Sequence, residues 1–91
     1  MTERMTGGEA IVAALQQQGV DTLFGIPGVQ TYGLFDALHR TAGRIRVVGA
    51  RHEQATAYMA MGYAKSTGKA GVFSVVPGPG VLNTAAAICT A

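Results

Sequence analysis

The 22 residues from Ala70 to Ala91 carry no acidic or basic side chain, although seven Lys and Arg and five Asp and Glu precede them. A stretch of that length is long enough to span a bilayer, which takes about 20 apolar residues. Pro77, Gly78, Pro79 and Gly80 stand in its middle, however, and remove backbone donors where a helix would need them. No membrane partner is therefore expected. A strand followed by a helix, both inside an α/β layer, accounts for the missing charge better, because strands covered on both faces read as continuous apolar runs. With 91 residues, 48% of them apolar, the chain has material for one small domain at most.

Upstream, Thr6 and Glu9 have the spacing of a capping box and start a helix to about Gln18, with Ile11, Val12 and Leu15 as its apolar stripe. Gly19 is suited to the left-handed residue that ends it. Val20 to Ile26 predicts a strand closed by Pro27 and Gly28. Thr31 to Arg40 predicts a helix broken by Gly43, and Ile45 to Val48 a second strand. A helix follows from about Glu53 to Gly68, then a third strand from Val72 to Val76. After the Pro77 to Gly80 turn, a fourth helix runs from Val81. Alternating helices and strands call for a mainly parallel sheet with helices on its faces. Ligands in such sheets bind beyond the carboxyl ends of the strands. Here those ends carry Pro27-Gly28, Arg51-His52-Glu53 and Gly78-Pro79-Gly80. The final residues, Ile88 to Ala91, lack the cap or terminal cation of a helix end, so the chain is expected to stop within a helix.

Charge and cysteine content narrow the partners. The formal charge is +2, and Arg40, Arg44, Arg46, Arg51, Lys65 and Lys69 are dispersed, so no nucleic-acid partner is expected. Cys89 is the sole cysteine and has no partner for a disulfide within the chain. Met1 to Glu9 lacks the order of a signal peptide, and a cytoplasmic location is expected. His52 and Glu53 could open a zinc-protease helix, but Thr56 stands where the second histidine is required, and no metal site is expected in these residues. Gly78, Gly80 and Asn83 imitate a dinucleotide fingerprint with Asn in place of its third glycine, which keeps a Rossmann-like nucleotide binder as an alternative. Met59, Met61, Tyr58 and Tyr63 are expected to pack in the interior.

Three ordered motifs then stand out. They are Gly19-Val20-Asp21 leading into Phe24-Gly25-Ile26-Pro27-Gly28, then Arg51-His52-Glu53-Gln54 with Gly62-Tyr63-Ala64-Lys65 and Thr67-Gly68-Lys69, and last Gly78-Pro79-Gly80-Val81-Leu82-Asn83. In this order and spacing the chain resembles the acetolactate synthase-like, thiamine diphosphate-dependent enzymes, over the first half of their N-terminal pyrimidine-binding domain. The resemblance implies an incomplete flavodoxin-like three-layer fold with residues 1–91 as a partial domain. It also implies thiamine diphosphate as cofactor and a 2-oxo acid as substrate.

By the same resemblance Glu53 is the catalytic carboxylate that meets the aminopyrimidine ring. A carboxyl group bonded to a ring nitrogen favours the imino form, whose exocyclic nitrogen can take the thiazolium proton. An isolated Glu at this position would merely favour the helix dipole. Pro27 and Gly28 would line the pyrimidine pocket, and Pro79 and Asn83 would lie against or near the ring. Val76-Pro77 departs from the family's commoner Thr-Ser pair, and Ala55-Thr56 from a Gly-containing one. The family holds magnesium and the diphosphate in a separate C-terminal domain, some members use FAD, and the full-length enzymes are homodimers or tetramers with sites between subunits. Catalysis by these residues alone is not expected. A small stand-alone module that completes a separately encoded partner is the other alternative.

Overall fold

The computed structural model describes residues 4–41 and 44–91. Gly43, expected to break the second helix, and the first three residues of the polar start lie outside that range. The capping box forms as expected: Glu9 N–H donates to Thr6 Oγ1 at 3.1 Å, and Thr6 N–H to Glu9 Oε1 at 2.8 Å, opening helix α1 (Gly7–Gln17). Gly19 follows with φ of 78°. Strand β1 (Thr22–Gly25) leads through a short 3₁₀ turn, Val29–Thr31, into α2 (Tyr32–Arg40) and β2 (Arg46–Val48). Helix α3 (Glu53–Thr67) ends at Gly68, φ 75°, and is followed by β3 (Phe73–Ser74).

All strand pairs are parallel in the order β2-β1-β3. The mainly parallel sheet between helices bears out the expected α/β class. The strands are shorter than their apolar runs, because the ladder forms only where neighbours overlap. Phe24 N–H donates to Val72 O at 3.0 Å and Ile26 N–H to Ser74 O at 3.2 Å, after which the chains separate.

Alternation along β1 divides the core. Leu23 is 1% exposed and joins Val12, Ala37, Leu38 and Ile45 under α1 and α2, while its neighbour Phe24 meets the ring of Tyr63 on α3 edge-on at 5.9 Å. Ile11, expected on the buried stripe, is 49% exposed, whereas Val12 and Leu15 of the same helix pack in the core cluster with Ala37 and Leu38 of α2. Tyr63 does more than pack: its hydroxyl donates to Asp21 Oδ1 at 2.7 Å, and Lys69 Nζ donates to Asp21 Oδ2 at 3.2 Å. The start of β1 is thereby tied to the end of α3.

The uncharged tail differs most from expectation. One helix from Val81 was expected, but two form, α4 (Pro79–Leu82) and α5 (Ala85–Thr90). They part at Asn83-Thr84, where the Thr84 hydroxyl, 0% exposed, donates to Val81 O at 2.6 Å and competes with helical pairing. Nor is the tail covered on all sides. Val81, Leu82 and Ile88 are exposed, and an apolar groove of about 260 Å³ lies between Ala57, Ala60 and Met61 of α3, Phe73 of β3, and Ala87 and Ile88 of α5. Among the described residues β3 pairs only with β1, so no strand lies along its other edge. No described helix is long and apolar enough to cross a membrane.

Two consequences can be measured. A Cβ on Gly8 would run into the Gly33 carbonyl, whereas one on Gly62 would meet nothing within 4 Å. Gly62→Ala is predicted to stabilise the fold by about 1 kcal/mol and Gly8→Ala to destabilise it by about 1–3 kcal/mol, compared by denaturant midpoints. The second concerns acid. The Tyr63 hydroxyl, and after it the Lys69 ammonium, hold the Asp21 carboxyl down from 3.8 to about 2. Because the folded value is the depressed one, its stabilising contribution is complete above 3.8 and is lost as pH falls towards about 2. In Tyr63→Phe, carboxyl ¹³C titration should place Asp21 closer to its ordinary value.

Candidate functional site

Parallel pairing brings the carboxyl ends of all three strands to one edge. From there the chain leaves β1 towards β2 on one side, while β3 lies on the other, so the connections switch sides between β1 and β3, the place where such sheets have their ligand crevice. The loop after β1 is held by its own side chains. Gly28 N–H donates to Thr31 Oγ1 at 3.0 Å, and Thr31 N–H donates to Gly28 O at 2.9 Å. Gly28 is extended, with φ of −154°, a conformation open to any residue. Space demands the glycine instead, because a Cβ there would collide with Val76 Cγ1.

Val76 touches the third loop as well. A Cβ on Gly80 would lie 2.8 Å from Val76 Cγ2 and 3.7 Å from Glu53 Oε2. Val76 therefore fills the gap between the two glycine loops with two methyl groups. In the sequence Val76 stands out only as a departure from Thr, and no local signal indicates that one side chain reaches both glycines.

Glu53 is the first residue of α3 and is partly buried. The capping duty falls to its neighbour: His52 is extended, and its Nδ1 accepts from Gln54 N–H at 3.0 Å. Thr56, 0% exposed, donates its hydroxyl to Glu53 O at 2.7 Å. These bonds fix the Glu53 backbone and leave its carboxylate available. Asn83 Nδ2 donates to Oε1 at 3.1 Å. The Glu53 N–H first, and then the Asn83 amide, hold the carboxyl below the ordinary carboxylate range.

The structure thus joins Gly28, Glu53 and Asn83 through Val76 and Gly80. Pro27 and Pro79 adjoin this group along the chain and are exposed, Pro79 as the first residue of α4. Asn83, expected near the ring, spends its amide on Glu53. Among the described residues, no three His, Cys, Asp or Glu side chains come together in a way that could hold a metal ion.

A parallel α/β sheet with a carboxylate and two glycine loops at its carboxyl edge has the layout of a ligand-binding α/β domain. The profile of the family described as thiamine pyrophosphate enzyme, N-terminal TPP binding domain, matches residues 5–91, and the chain belongs to that family. It is 46% identical over 89 residues to the acetolactate synthase isozyme 3 large subunit of Escherichia coli, and 44% identical over 89 residues to the acetolactate synthase large subunit of Haemophilus influenzae. These matches cover 98% of the chain and 15% of each relative. A protein named probable 2-ketoarginine decarboxylase, from Pseudomonas aeruginosa, is 51% identical over 84 residues, covering 92% of the chain and 15% of that relative. The chain spans about 15% of the length of the relatives it matches.

The placement of Val76 can be tested by coupling. Gly28→Ala is predicted to cost about 1–3 kcal/mol. In a Val76→Ala background the added methyl has room, so the double variant should be more stable than the sum of the singles requires. Strict additivity in denaturant midpoints would place Val76 elsewhere.

Proposed function

We propose that this chain is the aminopyrimidine-binding portion of a longer thiamine diphosphate-dependent enzyme acting on a 2-oxo acid, with Glu53 as the catalytic carboxylate. The observation that carries this is the state of Glu53. It stands at the carboxyl end of the sheet, at the start of a helix whose side-chain cap is His52, with one oxygen held by Asn83 and the other close to Gly80. A carboxylate so placed suits a ring nitrogen.

When bound, thiamine diphosphate supplies the carbon nucleophile that attacks the 2-oxo group. The protein's own residues orient and polarise. Glu53 exchanges a proton or hydrogen bond with the ring nitrogen, and the Val76 methyls and Pro27 exclude water around that contact. Gly28 and Pro79 form the pocket walls. Hydrogen bonds from the Glu53 N–H and then the Asn83 amide favour the charged form of this carboxyl.

Residues 1–91 form the first part of the pyrimidine domain in this proposal, and the longer polypeptide supplies magnesium and diphosphate binding, with FAD as an optional cofactor. It works as a homodimer or tetramer in the cytoplasm. Carboligation of the acetolactate synthase kind is favoured by the identities of 44% and 46% to two such subunits across nearly the whole chain.

The test uses the full polypeptide that carries this chain. Glu53→Gln is predicted to lower turnover of pyruvate by roughly a hundredfold or more while the protein remains folded. Full turnover in that variant would remove Glu53 from the chemistry.

A further inference from the structure

The resemblance places Asn83 near the cofactor ring, yet in the structure its amide is committed to Glu53. We infer that Asn83 is a positioning residue, which holds Oε1 of Glu53 and acts on the cofactor only through that carboxylate. The inference rests on the role of Glu53 proposed above.

Both ends of the bond start from fixed backbone. Asn83 closes α4 with φ of −68° and ψ of −11°, and its N–H donates to Pro79 O at 2.9 Å. The next residue, Thr84, is fully buried and bonded back to Val81 O. The break between α4 and α5 therefore holds Asn83 at one place on the crevice rim. Glu53 is equally anchored by the His52 cap and by buried Thr56. Between these anchors lie the rotatable bonds of a glutamate side chain, which would sweep several rotamers without a second attachment.

Asn83 is the only side chain among the described residues that is hydrogen-bonded to this carboxylate. Asn83 takes Oε1, and Oε2 is the atom 3.7 Å from where a Gly80 Cβ would lie. Donation from the Asn83 amide also favours the charged form, in keeping with the lowered proton affinity of Glu53. The short α4 has a function in this arrangement: an unbroken helix from Val81 would not cap at residue 83.

The experiment uses the full polypeptide with ¹³C-labelled glutamate carboxyl groups. The Glu53 signal is identified as the one missing from Glu53→Gln. Asn83→Asp keeps the side-chain shape but replaces the donor with an acceptor, and Asn83→Gln keeps the donor. In the cofactor-free protein, Asn83→Asp should move the Glu53 titration to higher pH, and Asn83→Gln should leave it closer to the parent. In the loaded enzyme, Asn83→Asp should lower kcat roughly tenfold, the worth of one hydrogen bond to a charged group, with the KM for pyruvate changed less than about twofold.

If Asn83→Asp does not fold, Asn83→Ala removes the donor without adding charge and is read the same way. An unmoved Glu53 titration, or a changed affinity for thiamine diphosphate in calorimetry with that titration unmoved, overturns the inference and makes Asn83 a direct ring contact. Failure of the underlying role of Glu53 gives a different result: Glu53→Gln would keep full turnover while the titration still responded to Asn83.

Discussion

Strand β1 is hydrogen-bonded along both edges and covered on both faces. Leu23 anchors one face under α1 and α2, and Phe24 the other against Tyr63 of α3. Two consecutive side chains thus set the separation of the two helical layers. Because β1 is the central strand, the loops after β2 and β3 take their heights from its ladder. The Asp21, Tyr63 and Lys69 cluster adds a polar tie on the α3 side, at the opposite end of β1 from the crevice. Exposed ion pairs contribute little by themselves. This one joins a phenol to a carboxylate across elements, which restrains α3 along its length.

At the carboxyl edge the same layering produces a site by division of labour. His52 caps α3, Thr56 ties its first turn, Asn83 holds one oxygen of the carboxylate, and Val76 occupies the space that both glycine loops leave open. The result is a carboxylate whose backbone is rigid and whose remaining oxygen is directed by its neighbours. A preorganised group of that kind has little reorganisation left to do when charge develops nearby.

Much of this was legible in the chain. The capping box of Thr6 and Glu9, the turn at Gly19, and the order of helices and strands follow from local chemistry, and the family follows from three motifs in sequence. Strand ends were less legible, since ladder length depends on where partners overlap. Ile11, Val81 and Ile88 read as buried and are exposed, because hydrophobicity reports a tendency and not whether another element lies above a residue. The helix expected from Val81 breaks because Thr84 finds Val81 O and Asn83 finds Glu53, partners that an apolar pattern does not reveal.

The sequence by itself determined the secondary-structure order, the parallel sheet and the identity of the groups at the strand ends, because caps, turns and periodicity act within a few residues. Only the tertiary structure decided that Val76 packs against both Gly28 and Gly80, and that Asn83 bonds Oε1 of Glu53. Glu53 and Asn83 lie 30 residues apart along the chain and 3.1 Å apart in the fold. Contacts at such separation depend on how the layers close, which no local signal encodes.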